Sequence, residues 1–327
     1  MSLRTVTDGH IELENILLEN YGAYANPTEH GWTTLHSAVK SGHIERVKLL
    51  VEQHNADVND KDDGGWTSLH IAVYYGHVEL VKLLVEQCNA DVKAKNDRRW
   101  TSLHIAANRG HVELVKLLVE QYKANVNAKN NKGWTSLHNA AYHGHMELVK
   151  LLVKQYNADV NAKNDGGWTS LHIAANHGNV ELVKLLVKQC NADVNATTKD
   201  RWTPLHIAAN HGNVELVKLL VEQCKADANV KTQYGWPALR LAEKKRHGIV
   251  IKLLEKPRNI SVQRARVSVL LEEGHSTREI AAREGTSRTT VSRIHQDEEN
   301  DPESSSRKKW VARASYPGVM KIDYPGA

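Results

Sequence analysis

A tryptophan recurs at a fixed spacing of 34 residues, and this period constrains the fold more than any other feature of the sequence. Nearly the same segment surrounds each copy, for example Gly-Trp-Thr-Ser-Leu-His-Ile-Ala-Ala at residues 167–175. Such a period is typical of a solenoid, in which each unit buries its apolar face only against its neighbours. The tryptophans are Trp32, Trp66, Trp100, Trp134, Trp168, Trp202 and Trp236.

Each unit predicts two helices joined by a turn, as the fifth copy illustrates. Thr169 is a suitable N-cap for a short apolar helix, and Gly178 suits its left-handed end. Valines and leucines at spacings of three and four then predict an amphipathic second helix over residues 180–187. Asn191 suits the end of that helix, and residues 193–195 are expected to run extended into the next turn.

The repeated segment, continued by Val-Glu-Leu-Val-Lys-Leu-Leu-Val and Asn-Ala-Asp-Val-Asn-Ala, resembles the ankyrin repeat over about residues 9–255. The resemblance implies an all-α solenoid of helix-turn-helix pairs, with seven repeats in residues 30–255. Residues 1–29 match a partial repeat, which either caps the stack or marks a truncated array. The family period is usually about 33, so we expect one extra residue per unit to lengthen the outer loop. In the seventh unit Arg240 replaces a repeated histidine and a charged run follows, which predicts a polar C-terminal cap.

A histidine follows leucine in six units and invites a metal interpretation. The resemblance implies instead that this imidazole ties neighbouring turns, which suits a ring that can donate and accept at once. Each copy lies in a different unit, with no carboxylate or cysteine at a ligand spacing, so neither a metal nor a cofactor is predicted. The tryptophan rings are expected to stack on the next unit. The histidines are His36, His70, His104, His138, His172 and His206.

Composition narrows the class of protein. The net charge of +5 is mild for 327 residues, and no apolar run reaches the roughly 20 residues of a membrane-spanning helix. The start lacks the apolar core of a signal peptide, and three cysteines form no CxxC pair. These features favour an intracellular protein, cytoplasmic or nuclear. No nucleophile–base pair or phosphate-binding loop is present, so we expect no enzyme, no small-molecule substrate and no membrane contact.

Two positions before the glycine of each unit vary while the frame around them stays constant. By resemblance they lie at the end of the first helix on the concave face, where Tyr, His, Arg and Asn make adaptable contacts. They predict a scaffold that binds an unidentified protein partner. Alternatively these positions are only solvated, because verbatim copies of the second helix indicate recent duplication. The predicted protein-binding residues are Tyr74, Tyr75, Asn108, Arg109, Tyr142, His143, Asn176, His177, Asn210 and His211.

The period ends near Pro257, and residues 256–296 predict a separate module of three helices. A first helix is expected from Ser261 to Gly274, and Ser276 with Glu279 has the spacing of a capping box. The apolar and turn positions then have the spacing of a helix-turn-helix. These positions are Ile280, Ala281, Gly285, Val291 and Ile294.

This segment resembles the trihelical DNA-binding module of Tc1/mariner-type transposases and related homeodomain-like proteins. In that resemblance the third helix lies in the major groove of duplex DNA, and the seven Arg against four Glu in residues 258–295 favour such binding. An active transposase is not expected, since only residues 297–327, predicted to be a disordered tail, follow. The module is either a DNA-tethering adaptor, which is the alternative function, or a passive remnant. The predicted DNA-binding residues are Ser287, Arg288, Thr289, Ser292 and Arg293.

Overall fold

A computed structural model describes residues 31–284 and 286–299, and every regular element in these ranges is helical. The chain divides into two compact units, Met1–Ala238 and Leu239–Ala327. The partial repeat predicted for residues 1–29, Gly285 and the tail from residue 300 lie outside the described residues. The three cysteines are free thiols. No described helix has the length and apolar character needed to cross a bilayer.

The first unit is a succession of helix pairs, each with a short inner helix and an outer helix. Two outer helices continue as π-helical turns, Leu117–Gln121 after α6 and Leu219–Gln223 after α12. Each inner helix packs on the next one along the chain. The pairs are α1 (Thr34–Lys40) with α2 (Ile44–Glu52), α3 (Ser68–Tyr75) with α4 (Val78–Glu86), α5 (Ser102–Arg109) with α6 (Val112–Lys116), α7 (Ser136–Tyr142) with α8 (Met146–Lys154), α9 (Ser170–Asn176) with α10 (Val180–Cys190), and α11 (Pro204–His211) with α12 (Val214–Lys218).

Threonine and histidine together begin each inner helix. In α9 the Thr169 hydroxyl accepts the backbone N–H of His172, and the Thr169 backbone N–H donates to His172 Nδ1 at 3.2 Å. This capping box satisfies donors that a helix start otherwise leaves unpaired. The repeated Thr-Ser-Leu-His segment is therefore itself a helix start signal, as the sequence predicts.

The outer helices bury one apolar face. In α10 the side chains of Leu182, Val183, Leu185 and Leu186 are at most 3% exposed, and burying each of them contributes about 1.5–3 kcal/mol relative to an exposed position. Asn191 ends this helix in the left-handed conformation, with φ of 57°. The amphipathic pattern and the cap are both as predicted.

The extra residue of the 34-residue period does not lengthen the outer loop, so that expectation was wrong. The chain absorbs it at the end of the outer helix, where a widened turn accommodates one more residue. In four repeats a residue at the end of the outer helix donates its N–H to a carbonyl five positions back, for example Tyr122 to Leu117 and Cys224 to Leu219. The stretch after the outer helix is also a turn and not extended, since Ala196 N–H bonds to Asp193 O at 3.2 Å.

From His104 onward the histidine column ties each repeat to the next one. His104 Nε2 donates to the backbone carbonyl of Trp134 at 3.0 Å, and His138 and His172 make the same bond to Trp168 and Trp202. Since Nδ1 accepts the threonine N–H, these rings are neutral with the proton on Nε2. The implied structural role of the histidines is confirmed.

Burial holds these histidines neutral. Desolvation on burial is the main reason why the pKa values of His104, His138 and His172 are lowered to about 4. The same cause lowers the pKa of His70 to about 4. Protonation would also remove the Nδ1 acceptor of the capping box, so the charged form conflicts with the fold in two ways.

The tryptophan rings pack differently from the expectation. Trp66 lies 6.0 Å from the ring of His70 in its own repeat, and Trp168 lies 5.9 Å from His172. The backbone carbonyl oxygen of the tryptophan, and not its ring, accepts the hydrogen bond that joins neighbouring repeats. The ring packs against the capping-box histidine of its own repeat. The expected stacking of each ring on the next unit was therefore wrong for these rings.

Asparagine side chains add a second link between repeats. Asn127 Oδ1 accepts the backbone N–H of Asp159 at 2.9 Å, and Asn161 Oδ1 accepts that of Asp193 at 2.8 Å. Lys93 occupies the same column one repeat earlier, and a lysine ammonium has no acceptor to offer. The junction between the second and third repeats therefore lacks this clamp.

The second unit continues the last repeat into the helix-turn-helix module. Its helices are α13 (Ala238–Lys245), α14 (Gly248–Glu272), α15 (Thr277–Arg283) and α16 (Arg288–Glu299). Because α14 is one helix of 25 residues, the expected helix start at Ser261 was wrong, and the predicted boundary between residues 255 and 256 falls within this helix. Helix α16 also extends past the predicted boundary at residue 296. Arg240 and the charged residues at the end of α13 are exposed, which agrees with a polar repeat end.

Candidate functional site

The predicted protein-binding residues stand at the ends of five inner helices, α3, α5, α7, α9 and α11. Because these helices pack on one another in succession, their ends lie side by side. We name this set the helix-end row. Its members are Tyr74, Tyr75, Asn108, Arg109, Tyr142, His143, Asn176, His177, Asn210 and His211.

At the second and third repeats the helix-end row is built on aromatic rings. The Arg109 guanidinium lies 4.3 Å over the ring of Tyr74, which itself meets Trp66 edge to face at 5.7 Å. Tyr75 is 44% exposed and stacks on His77 at 6.0 Å. An arginine over an aromatic face is held in one orientation, so this end of the row presents an ordered cation beside an exposed phenol.

At the third to fifth repeats the contacts continue across two junctions. Asn108 Nδ2 lies 2.8 Å from His143 Nε2, and the ring of Tyr142 meets His177 edge to face at 4.6 Å. Tyr142 is 47% exposed. Side chains from three consecutive repeats are therefore joined into one surface by contacts among themselves.

Three basic side chains surround His143. Partial burial is the largest cause that lowers the pKa of His143, and the neighbouring His145, Arg109 and His177 lower it further. The amide of Asn108 donates to its Nε2, which requires the neutral ring. A bound negative charge would reverse this balance.

The row continues along the ends of α9 and α11. Asn176, His177 and His211 are exposed, and Asn210 is half-buried at the end of α11. All ten predicted residues thus lie on neighbouring helix ends. The aromatic contacts that order side chains of the row all lie in repeats two to five.

A supporting histidine column was missed by sequence reasoning. His77, His111 and His145 bond through Nε2 to the backbone carbonyls of Lys40, Tyr74 and Asn108 in the preceding repeat, at 3.1–3.3 Å. The signal was the Gly-His dipeptide that directly follows the variable pair. In the fifth and sixth repeats Asn179 and Asn213 replace histidine and cap their own outer helices.

The second candidate surface lies on the C-terminal module. Its core consists of Val267 and Leu270 from α14, Ile280 and Ala281 from α15, and Val291 and Ile294 from α16. The capping box is present, with Glu279 N–H donating to Ser276 Oγ at 3.3 Å and Ser276 N–H donating to Glu279 Oε2 at 2.9 Å. The Ser276 hydroxyl also donates to Glu279 Oε2 at 2.7 Å, and this bond, followed by the one from the Ser276 N–H, lowers the pKa of Glu279. An ion pair of 4.0 Å between Arg266 and Glu284 joins α14 to the end of α15.

Helix α16 presents the predicted DNA-binding residues on the side opposite its core. Arg288, Thr289, Ser292 and Arg293 are exposed, whereas Val291 and Ile294 are at most 4% exposed. Ser287 has a different task, because its hydroxyl accepts the Thr290 N–H at 3.1 Å and caps the helix. Gln296 is exposed one turn beyond Ser292 and continues the same face, a position that sequence reasoning missed.

Within the described ranges no group of three or more His, Cys, Asp or Glu side chains is placed to hold a metal ion. The described histidines of the Leu-His column have their nitrogens directed at the capping threonine and the next repeat. The candidate surfaces are made of side chains on helix ends and on one exposed helix face.

Comparisons with known proteins agree with this architecture. The family model described as "Ankyrin repeats (3 copies)" matches residues 3–96, 69–164, 103–198 and 171–264, and a model described as "Homeodomain-like domain" matches residues 261–304. A solved structure of the ankyrin repeat domain of Bcl-3, a member of the IkappaB protein family, is similar with a TM-score of 0.59 and 29% identity over 69% of this chain and 100% of that chain. No curated protein matches the sequence.

These matches confirm the ankyrin resemblance and the homeodomain-like character of the C-terminal module, while the specific likeness to transposases stays a prediction. The ankyrin matches together span most of the sequence and coincide with the described repeats. This chain belongs to the ankyrin-repeat family, and it carries a homeodomain-like helix-turn-helix module at its C-terminal side.

Proposed function

We propose that the chain is a non-enzymatic protein-interaction scaffold whose partner docks on the helix-end row, on the concave face of the solenoid. The observation that carries the proposal is the set of contacts that joins exposed side chains of repeats two to five, above all Arg109 over Tyr74 and Tyr142 against His177. The scaffold would work inside the cell, where free cysteines persist.

Preorganisation is the physical reason for this choice. Side chains that are already ordered lose less conformational entropy when a partner binds, so more of the contact energy becomes affinity. Tyrosine and arginine are also enriched among residues that dominate interface energetics. The outer helices instead expose alternating Glu and Lys, for example the Glu79–Lys82 pair at 2.9 Å, and such pairs contribute little.

The test compares partner capture by three forms of the full chain. One form carries Tyr75→Ala, Tyr142→Ala, His143→Ala and His177→Ala. A matched control carries four alanines at exposed outer-helix residues, Glu113, Lys116, Lys150 and Lys184. We expect the row variant to lose proteins that the unchanged chain and the control both retain, as measured by quantitative mass spectrometry. Equal recovery by all three forms would remove the assignment.

A second candidate function is DNA tethering through the C-terminal module. The observation in its favour is that Arg288 and Arg293 are both exposed on the face of α16 that faces away from the module's core. Arginine in such a position can bind a guanine edge or hold a phosphate. An adaptor of this kind would bring the solenoid's partner to duplex DNA.

Binding of the full chain to duplex DNA over a range of salt concentrations tests this function. We expect Arg288→Ala with Arg293→Ala to weaken binding and to reduce the salt dependence, because fewer counterions are released. The charge-matched control is Lys116→Ala with Lys150→Ala on the outer helices, which should leave binding unchanged. Equal effects of the two pairs would mean that only net charge matters and would reject the module as a specific DNA reader.

A further inference from the structure

The helix-end row and its extension into the first repeat contain no carboxylate in the described residues. Lys40 and Ser41 occupy the same two positions in the first repeat, so the series offers Lys, Arg, His, Tyr, Asn and Ser only. Acidic residues are common elsewhere in each repeat, and Glu45 and Glu79 pair with Lys48 and Lys82 on the outer helices. The inner helix ends are therefore a strip of hydrogen-bond donors without a negative group.

The contacts within the strip leave donors available to a ligand. The Arg109 guanidinium rests on the face of Tyr74, an arrangement that leaves its edge for hydrogen bonds. The phenols of Tyr75 and Tyr142 are nearly half exposed. His143 is surrounded by His145, Arg109 and His177, and each of these disfavours its protonation. Arg109 therefore places a permanent positive charge at the centre of the row, and the described row positions hold no carboxylate to neutralise it.

We propose that the partner of the helix-end row is an acidic peptide segment, whose carboxylates bind Arg109, His143 and His177 while its backbone lies against Tyr75 and Tyr142. This inference rests on the proposed scaffold function and names the chemistry of the partner. Guanidinium and carboxylate form short, charge-assisted hydrogen bonds with matched geometry. Complementary charge also directs encounter and excludes basic partners.

An acidic peptide fits the strip better than a nucleic acid does. Among the described helix-end positions of repeats one to six, Lys40 and Arg109 are the permanent cations, and they belong to different repeats. Nucleic-acid binding draws most of its affinity from many lysines and arginines that neutralise successive phosphates. A peptide with separated carboxylates needs fewer cations for binding, because neutral Asn and Tyr side chains can also donate hydrogen bonds to a carboxylate.

Protonation is coupled to such binding. A carboxylate beside His143 favours the charged imidazole, so binding takes up a proton and tightens as the pH falls toward about 6.5. The groups that face His143 are Asn108, Tyr142, His145, Arg109 and His177. This range lies above the pH at which the buried histidines of the inner helices begin to destabilise the fold.

The experiment measures binding of the full chain to a short fluorescein-labelled peptide of alternating Glu and Ser by fluorescence anisotropy. The reference peptide has Gln in place of Glu. We expect the Glu peptide to bind at least about tenfold more tightly at low salt, and Arg109→Gln to weaken it about three- to tenfold. Arg109→Lys keeps the charge and should retain most of the affinity. Lys116→Gln removes an equal charge from an outer helix and should change little.

The pH arm uses His143→Gln, which should abolish the tightening as the pH falls toward about 6.5 without removing binding. Equal affinity for the Glu and Gln peptides, or equal effects of Arg109→Gln and Lys116→Gln, would overturn the proposal. So would tighter binding of a single-stranded oligonucleotide that is weakened by the same Arg109 variant. If partner capture depends on the row but the Glu peptide does not bind, the scaffold function stands and the acidic chemistry is wrong.

Discussion

The solenoid and the C-terminal module are held together by different kinds of buried group. The solenoid buries a histidine, paired with a threonine, in each inner helix from α1 to α11, and from His104 to His206 the imidazole bonds to the next repeat. The module has a single apolar cluster supplied by α14, α15 and α16, and its described histidines lie outside that cluster. A repeating chain must connect units that have no common centre, whereas three helices can share one core.

The free energy of unfolding is therefore expected to depend on different factors in the two regions. Hydrogen-bonded neutral imidazoles make the solenoid sensitive to protons. An apolar cluster is sensitive to the volume of its side chains and largely insensitive to pH. Three changes can break or sharpen this contrast, the first with the largest effect.

Acid is expected to unfold the solenoid before the module. The folded-state pKa of His70, His104, His138 and His172 is about 4 against an ordinary value of 6.5. Each group therefore adds stability that is complete above about pH 6.5 and is lost as the pH falls through about 4, a loss on the order of 3 kcal/mol per histidine.

Hydrogen exchange measured by mass spectrometry on the full chain checks this. Peptides from residues 98–230 should lose protection between about pH 6.5 and pH 4.5, after correction for the intrinsic exchange rate, while peptides from residues 276–299 keep theirs. Loss of protection in the module at the same pH would contradict the contrast, because the module's cluster holds no ionisable group.

Truncating an apolar side chain should have an effect confined to its own region. Ile280 is 1% exposed in the module core, so Ile280→Ala should destabilise the module by about 2–5 kcal/mol and leave the protection of repeats two to six unchanged. Ile173→Ala, at 4% exposed in α9, is the matched control and should weaken the solenoid alone. Spread of either effect into the other region would show that the two are energetically coupled.

A smaller gain is expected from restoring the missing asparagine clamp. Lys93→Asn supplies an acceptor for the backbone N–H of Asn125, by analogy with Asn127 and Asp159, and should stabilise the solenoid by about 0.5–1.5 kcal/mol. Urea unfolding followed by tryptophan fluorescence measures the change. Asn161→Ala removes an existing clamp and should destabilise the solenoid by a similar amount. If neither substitution changes the free energy of unfolding, these hydrogen bonds contribute nothing to stability.

Much of the local structure follows directly from residue types and spacing. Thr169 as N-cap, Asn191 as left-handed cap and the Ser276–Glu279 capping box all depend on contacts within a few residues. The buried faces of α10 and α16 follow from helical periodicity. Such features are predictable because the groups that satisfy one another are close in sequence.

Other features depend on how repeats meet, and sequence reasoning missed them. In four repeats the extra residue of the period forms a widened helical turn, because the outer helix keeps its buried leucines in place while its last turn expands. The ring of Trp66 turns toward His70, and His111 supports the row through the carbonyl of Tyr74. The bond between His111 and Tyr74 joins residues about one period apart in the sequence. Which groups pair at that distance depends on how the units stack.

The sequence by itself determined that this chain stacks similar helical pairs and then changes to a module with a different core. A period and an apolar pattern are sufficient for this, since each unit meets only its neighbours. The tertiary structure alone decided which of the variable residues act together. Arg109 meets Tyr74, and Tyr142 meets His177, because the stacking of inner helices places positions one repeat apart side by side.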